Sequence, residues 1–260
     1  MTNQRKRQLK AFDRLLTIMD ELREGCPWDR KQTFQTLRHL TVEETYELSE
    51  ALLENNEIEI KKELGDLLLH IVFYAKIGSE IAAFDIGDVA DAIADKLIQR
   101  HPHIYADVEI KDEDDVKKNW EKLKLKEGNK SVLSGVPKSL PSMVMASRMQ
   151  DKAAGIGFDW DNIEGVREKI NEELQELEHE VAKGDKTKIE AELGDVFFSL
   201  VNYSRFLGVT PDDALASTNK RFRSRFQSME QHATIEKLKL TELSSNQWES
   251  LWEIAKKRVG

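Results

Sequence analysis

The chain has 260 residues, of which 40% are apolar and 33% are charged, and it contains only 13 Gly and 5 Pro. This length suits two modest domains or one large one, and the composition favours long amphipathic helices over strands and tight turns. A formal net charge of -9 argues against a general nucleic-acid binder, which needs a basic face. It leaves room for a small anion, because a metal ion can reverse the local sign of the charge.

The cellular compartment is predicted from the single cysteine and from the lengths of the apolar segments. Cys26 is the single cysteine and has no partner for an internal disulfide, which is typical of a reducing cytosol. The first residues, "MTNQRKRQLK", are basic but are not followed by the apolar segment of a signal peptide. The longest apolar run, "LLLHIVFYA", is interrupted by His70 and is too short to cross a bilayer. We therefore expect a cytoplasmic protein with no membrane partner.

The first half of the chain predicts four helices. A helical stripe of apolar residues predicts the first helix, over about 6–24, and the Gly and Pro of "GCPWD" end it. Two helices then follow over about 34–54 and 58–80, joined at "NN", and a fourth runs over about 88–100 and ends before "HPHIY".

The second half repeats this order. "GFDWD" matches "GCPWD", and Asp161 with Glu164 predicts a capping box for a helix that ends near Lys183. "KGD" is the predicted turn, and the next helix ends near Leu207. Pro211 predicts the start of a helix through "NKRFRSRFQSMEQH", and a last helix covers about 245–258.

A charged segment followed by a Gly-, Pro- and Ser-containing loop separates the halves and is typical of a linker. The predicted organisation is a first repeat over 1–110, a helical and loop linker over 111–145, and a second repeat over 146–260.

The two halves repeat one acidic pattern at a constant offset of 129 residues. The offset also pairs Leu48 with Leu177, and "LG" at 64–65 with "LG" at 193–194. Two copies of this length indicate a duplication and not a solenoid. The acids that correspond are Glu43, Glu44, Glu47, Glu63 and Asp66 in the first half, and Glu172, Glu173, Glu176, Glu192 and Asp195 in the second.

This spacing predicts a metal site. Glu173 and Glu176 share one helix face, as Glu192 and Asp195 do on the next helix, and a short turn brings the two pairs together across a hairpin. Four clustered carboxylates repel one another, so we expect a hard divalent cation with oxygen ligands, Mg²⁺ or Mn²⁺. Gly194, a residue that weakens a helix, suggests that something approaches the backbone closely there.

The motifs and their order resemble the MazG family, the two-repeat bacterial nucleoside triphosphate pyrophosphohydrolases. The resemblance rests on the paired "EExxE…ELGD" hairpins, "GCPWD", "RHPHIY", "GVPKSLPS…KAAGIGFDWD" and "NKRFRSRF", and it covers nearly the whole chain. It implies an all-α fold of two tandem helical-hairpin repeats, bundle-like and completed by dimerisation. It also implies Mg²⁺-dependent hydrolysis of a nucleoside triphosphate to the monophosphate and pyrophosphate.

The family's metal ligands carry over to both repeats. By resemblance, they fall on Glu173, Glu176, Glu192 and Asp195 in the second repeat, and on Glu44, Glu47, Glu63 and Asp66 in the first.

The second repeat offers more for a triphosphate than the first. Arg221 and Arg225 are four residues apart on one basic helix with Lys220, and can face phosphates together. Asn202 can hydrogen-bond a base or sugar. By resemblance, Lys169 and Trp252 join the arginines among the nucleotide contacts. We therefore predict that the second repeat is the main catalytic site.

The expected mechanism is metal-assisted attack of water on the α-phosphorus, with Glu172 or another acidic neighbour orienting the water. One alternative is a di-iron helical bundle, for which Glu176 and His179 supply only one Glu-x-x-His motif. Another is a non-enzymatic helical scaffold with solvated acidic faces. His70 is interpreted as a partly buried hairpin residue, and His101 and His103 as structural.

Overall fold

The computed structural model describes residues 1–106 and 131–259. Every regular element in these two ranges is helical, which confirms the all-α prediction. The chain divides into two compact units, Met1–Ile110 and Lys111–Gly260. Much of the predicted linker, including its charged helix, falls outside the described residues.

The first unit has three long helices around one hydrophobic core. Helix α1 contacts α3, and α2 and α3 form the first hairpin. Apolar side chains from all three helices meet at Met19, Leu37, Val72 and Phe73, each at most 2% exposed. The helices are α1 (Asn3–Gly25), α2 (Phe34–Leu53), α3 (Glu57–Glu80), α4 (Ile86–Arg100) and the short α5 (Pro102–Tyr105).

The second unit repeats the hairpin and adds one long helix before it and two after it in sequence. The second hairpin is formed by α7 and α8; α6 packs on α8, and α9 pairs with α10. Met229, Leu251 and Ala255 form the buried contact between α9 and α10. The helices are α6 (Ser142–Ala154), α7 (Ile163–Lys183), α8 (Lys186–Phe206), α9 (Pro211–Ile235) and α10 (Ser245–Val259).

The two hairpins turn in the same way at the 129-residue offset. Asn55 and Gly184 both adopt a left-handed conformation, with φ of 53° and 75°. The next residue caps the following helix, since Asn56 Oδ1 accepts from Glu59 N at 3.4 Å and Asp185 Oδ1 accepts from Thr187 N at 3.1 Å. Asn and Gly are the residues that tolerate this geometry, so the turns predicted at "NN" and "KGD" are confirmed.

Two details of the predicted second unit are wrong. The N-cap of α7 is Asn162, whose Oδ1 accepts from Gly165 N at 3.1 Å, and not the predicted capping box of Asp161 and Glu164. Helix α6 was not predicted, because its start lies in the assigned linker, where Pro and Ser favoured a loop. Its buried Gln150 and Lys152 also weaken the apolar stripe that would mark a helix.

The described residues contain no helix that is both long enough and apolar enough to cross a membrane.

Candidate functional site

The two hairpins each bring three carboxylates together. In the first, oxygen atoms of Glu44, Glu63 and Asp66 all lie within 4.8 Å of one another. In the second, oxygen atoms of Glu173, Glu176 and Glu192 meet the same limit. The repeats therefore share the two corresponding positions 44/173 and 63/192 but differ in the third member.

The remaining predicted ligands lie near these groups without joining the close triplets. The negative charge of Glu47 is one of those that raise the pKa of Glu44. Asp195 acts in the same way on Glu192, and it lines a cavity together with Glu173.

One carboxylate in each triplet is withdrawn from water. Glu63 is 3% exposed and Glu173 is 5% exposed, so neither belongs to a merely solvated acidic face, as the scaffold alternative expects. A lysine compensates each charge: Lys62 Nζ lies 2.8 Å from Glu63 Oε1, and Lys169 Nζ lies 2.7 Å from Glu173 Oε1. Glu63 Oε2 is buried and has no hydrogen-bond partner among the residues that the structure describes, which leaves the charge of Glu63 incompletely compensated there.

The titration of both triplets shows the crowding of negative charge. Partial burial raises the pKa of Glu44, and the charges of Asp66 and Glu47 raise it further. Partial burial, with Glu176 and Asp195, raises the pKa of Glu192 in the same way. Such groups lose protons more readily when a cation binds between them.

The donor set fits a hard cation. Carboxylate oxygens are the ligands that Mg²⁺ and Mn²⁺ prefer, and within the described residues neither triplet includes a histidine. A di-iron bundle of the kind considered as an alternative needs a histidine beside its glutamates, so the geometry favours the magnesium-type site.

Gly65 and Gly194 stand beside these groups with open space in front of them. A Cβ built on either residue meets no atom within 4 Å. No described protein atom therefore makes the close approach to the backbone at Gly194 that the sequence suggested. That a bound group approaches the backbone there stays a prediction.

Gly194→Ala is expected to raise the free energy of unfolding by about 1 kcal/mol, because alanine favours the helix interior and the space is free. If a bound group does approach there, the same change should weaken the stabilisation that Mg²⁺ gives. Urea unfolding with and without Mg²⁺ measures both effects. Gly165→Ala is the contrasting variant, since its Cβ would lie 2.8 Å from Trp160 Cε3 and should destabilise the protein.

A cavity of about 680 Å³ opens beside the second triplet, within the size range of small-molecule sites. It shares Glu173 with the triplet, and Lys169, Asp195 and Asn202 also line it, so four predicted site residues meet there. Its walls are mainly apolar and aromatic. Phe158, Trp160 and Phe198 form part of them.

An ion pair holds one wall of this cavity in place. Arg205 Nη1 donates to Asp159 Oδ2 at 2.9 Å, and Arg205 Nη2 donates to the other oxygen of the same carboxylate. Arg205 Nη2 also donates to Asn202 Oδ1 at 2.9 Å. The side-chain oxygen of Asn202 is thus engaged by Arg205, which fixes the amide so that its nitrogen is the group that can donate to a ligand.

Gln150 is a further polar residue that lines the cavity. It is 8% exposed, and its Nε2 donates to the Phe198 carbonyl at 2.9 Å. Its Oε1 is buried and has no partner within the described residues. An unsatisfied buried acceptor costs about 1–3 kcal/mol, so a group that satisfies it would be bound favourably.

Sequence reasoning missed this wall. Gln150, Asp159, Trp160 and Arg205 had no predicted role, although "GFDWD" was recognised as a repeated motif. The available signal was the Gly165 that follows Trp160, because only a residue without Cβ lets the indole lie this close to the start of α7.

The predicted phosphate cations of α9 do not line the cavity. Arg221 donates to Ser217 Oγ and Thr218 Oγ1, both at 2.9 Å, on its own helix. The guanidinium of Arg225 lies 5.8 Å from the ring centroid of Trp252, which packs against the α9–α10 core. Lys220 is exposed on the same helix. The geometry thus gathers Lys169 and Asn202 at the cavity and leaves these four residues on the α9–α10 pair.

The histidine of the first hairpin is structural. His70 is 7% exposed, and its Nδ1 lies 2.8 Å from Thr41 Oγ1, which lies 2.7 Å from the Tyr74 hydroxyl. Burial lowers the pKa of His70. The interpretation of a buried hairpin histidine is confirmed, although its burial is more complete than predicted.

Comparison with known proteins agrees with this arrangement. The model of the MazG nucleotide pyrophosphohydrolase domain matches twice, at residues 32–105 and 162–229, and each match contains one acidic hairpin. Nucleoside triphosphate pyrophosphohydrolase from Escherichia coli is 38% identical over 259 residues, covering 96% of this chain and 98% of its own.

Two further relatives show the same likeness. Nucleoside triphosphate pyrophosphohydrolase/pyrophosphatase MazG from Thermotoga maritima is 44% identical over 250 residues, which cover 94% of this chain and 95% of the relative. Nucleoside triphosphate pyrophosphohydrolase from Mycobacterium tuberculosis is 37% identical over 146 residues, 55% of this chain and 45% of its own. On the paired domain matches and these identities, the chain belongs to the MazG nucleotide pyrophosphohydrolase family.

Proposed function

We propose that this chain hydrolyses ribonucleoside or deoxyribonucleoside triphosphates to the nucleoside monophosphate and pyrophosphate. We also propose that this hydrolysis depends on Mg²⁺. The observation that carries the proposal is that Glu173 belongs to two features at once. This buried carboxylate belongs to the acidic triplet and also lines the aromatic cavity. A nucleotide whose base enters the cavity would therefore bring its phosphates to the carboxylates.

The metal would be held by Glu173, Glu176 and Glu192, with Asp195 beside them. When bound, Mg²⁺ supplies charge neutralisation for the phosphate oxygens and lowers the pKa of a coordinated water. Mn²⁺ is a possible substitute, because it prefers the same oxygen donors.

The protein's own groups have separate roles in this proposal. Lys169 pairs with Glu173 at 2.7 Å and donates to Glu172 at 2.9 Å, and both contacts raise the pKa of Lys169, which would keep it charged beside the phosphates. Glu172 is exposed and adjacent to the triplet, where it can orient the attacking water. Lys220, Arg221 and Arg225 are proposed to hold the departing pyrophosphate, on the strength of their charge and the family resemblance. Trp252 is proposed as a nucleotide contact on the resemblance alone.

The proposed reaction breaks the bond between the α-phosphorus and the oxygen that bridges to the β-phosphorus. The water oxygen remains on the α-phosphate of the monophosphate, the bridging oxygen leaves with pyrophosphate, and the water protons pass to solvent.

Product analysis tests the reaction directly. ATP with Mg²⁺ in ¹⁸O-water should give AMP and pyrophosphate in equal amounts, with the label in AMP. Label in pyrophosphate would contradict attack at the α-phosphorus, and release of ADP and phosphate would contradict the reaction. Chelation of the metal with EDTA should stop turnover, and added Mg²⁺ should restore it.

We also propose that the protein is a homodimer. Each hairpin carries an exposed apolar stripe at the same helical spacing, and the two stripes correspond at the 129-residue offset. Soluble monomers rarely expose such contiguous patches, so a covering surface is expected. The stripes consist of Leu64, Leu68 and Ile71 on α3, which are 38–53% exposed, and Leu193, Phe197 and Leu200 on α8, which are 40–54% exposed.

Phe197→Glu is expected to raise the dimer dissociation constant at least about a hundredfold, because a charge would replace a large apolar side chain in the interface. Sedimentation equilibrium over a range of protein concentrations measures it. Val209→Glu is the matched control, since Val209 is 46% exposed but lies beyond the end of α8. If Phe197→Glu forms a dimer with an unchanged dissociation constant, the apolar stripe of α8 lies outside the dimer contact.

A further inference from the structure

We propose that Gln150 reads the nucleobase, accepting one of its N–H groups at Oε1 inside the aromatic cavity of the second hairpin. This inference rests on the proposed function and adds the part of the substrate that this cavity selects: a base that offers an N–H donor at its polar edge.

The orientation of the Gln150 amide is determined by chemistry. Its Nε2 lies 2.9 Å from the Phe198 carbonyl, which can accept but never donate. The nitrogen must therefore face that carbonyl, and Oε1 must take the other position. Oε1 can only accept, so its partner has to be a donor.

The surroundings of Oε1 select the kind of donor. The atom is buried, lacks a partner within the described residues, and belongs to a side chain that lines the cavity and is 8% exposed. The same cavity is lined by Phe158, Trp160 and Phe198, aromatic side chains of the kind on which a planar ring can stack. A planar heterocycle with an N–H at its edge satisfies both the walls and the acceptor.

A second polar group complements this reading. Asn202 follows Phe198 by one turn of α8, on the same helix face. Because Arg205 engages the Asn202 Oδ1, the nitrogen of the Asn202 amide is the group that can donate to a ligand. Gln150 and Asn202 both line the cavity, so its lining includes an amide acceptor and an amide donor, the two kinds of group that the polar edge of a nucleobase can pair with.

The phosphate end of the same ligand has a defined direction. Glu173 and Lys169 line the cavity, and Glu173 belongs to the acidic triplet. A nucleotide with its base against Gln150 would thus have its phosphates directed toward the carboxylates.

The experiment compares natural triphosphates with analogues whose bases carry no N–H. Purine riboside triphosphate is compared with ATP and GTP, and pyrimidin-2-one riboside triphosphate with CTP and UTP, by kcat/KM for pyrophosphate release. In the unmodified protein, the better natural substrate should exceed its analogue at least about tenfold, because a buried acceptor is left unpaired by the analogue.

Gln150→Met fills the same space without an acceptor, and should bring that ratio to within about twofold of one. Gln150→Glu should keep a ratio well above one, since a protonated carboxyl can donate to Phe198 and still accept from the base. Gln231→Met, on the exposed part of α9, is the matched control and should leave the ratio unchanged.

A ratio near one in the unmodified protein would overturn the proposal and indicate that an ordered water satisfies Oε1. A high ratio that Gln150→Met leaves unchanged would also overturn it. If Gln150→Met does not fold, the ratio of kcat/KM for the natural substrate to that for its analogue, measured in the unmodified protein and in Gln150→Glu, still tests the proposal. Absence of pyrophosphate from every triphosphate would instead contradict the proposed function, so the two failures are distinguishable.

Discussion

Glu173→Gln is expected to lower kcat/KM for pyrophosphate release at least about a hundredfold. The side chain keeps its size but loses the charge that Glu173 contributes to the triplet and to the cavity. Metal-ion catalysis contributes several kcal/mol, and each 1.36 kcal/mol is a factor of ten in rate. The free energy of unfolding without Mg²⁺ should stay level or rise, because repulsion among the carboxylates falls.

Glu44→Gln is the matched variant in the first hairpin, and it should retain activity within about fivefold. The reason is that the large aromatic cavity adjoins the second triplet, whereas a cavity of about 140 Å³ in the first unit has none of the first triplet in its lining. Glu178→Gln, exposed on α7, controls for the loss of one charge. Equal losses in Glu44→Gln and Glu173→Gln would reject the second hairpin as the main site.

Arg23→Met is expected to lower the free energy of unfolding of the first unit by about 2–3 kcal/mol. The guanidinium donates to Glu80 from Nε at 2.9 Å and from Nη2 at 2.5 Å, and to the Gln32 carbonyl at 3.3 Å. It therefore ties α1 to the end of α3 and to the loop before α2. The Arg23 side chain is 9% exposed and that of Glu80 is 36% exposed, and hydrogen bonds to charged groups contribute about 1.5–3 kcal/mol. Urea unfolding measures the change.

This effect should depend on pH in a defined direction. The hydrogen bond from Arg23 lowers the pKa of Glu80 below its ordinary value of 4.5. Because the pKa of Glu80 is lower in the folded state, its ionised carboxylate stabilises the protein at pH values above 4.5. This stabilisation disappears as the pH falls through the folded-state pKa of Glu80. The difference between the unmodified protein and Arg23→Met should therefore be largest at neutral pH and shrink below about pH 4.

Asp20→Asn is the control for a salt bridge of similar length. Lys76 Nζ lies 2.6 Å from Asp20 Oδ1, but the Asp20 side chain is 59% exposed. Exposed pairs contribute about 0–1 kcal/mol, so this variant should change stability little. A loss in Asp20→Asn as large as in Arg23→Met would show that burial is not what makes the Arg23 pair important.

The hairpins were predictable because their signals are local. Apolar periodicity, caps and turn residues act within a few positions, so α2, α3, α7 and α8 were predicted to within about two residues at each end. Asn55 and Gly184 supply the left-handed turn in both copies. Helix α6 was not predicted, since its start lies in the assigned linker and its buried Gln150 and Lys152 interrupt the apolar stripe.

The identity of the acidic residues was predictable from the sequence, but the distances between their carboxylates were not. Spacing of three along a helix places Glu173 and Glu176 on one face, whatever the rest of the fold does. Which carboxylates approach within 4.8 Å depends on how the two helices pack and on the conformation of each side chain. Asp66 belongs to the first triplet, whereas Asp195 lies outside the second.

The sequence by itself determined the all-helical class, the duplication and the face on which each acid lies, because these depend on periodicity and on neighbours within one turn. Only the tertiary structure decided that Glu173 is buried and that α6 brings Gln150 against Phe198. Gln150 and Phe198 are 48 residues apart in sequence. Packing between helices sets such contacts, and periodicity shows which face of a helix is buried but not which distant residue that face meets.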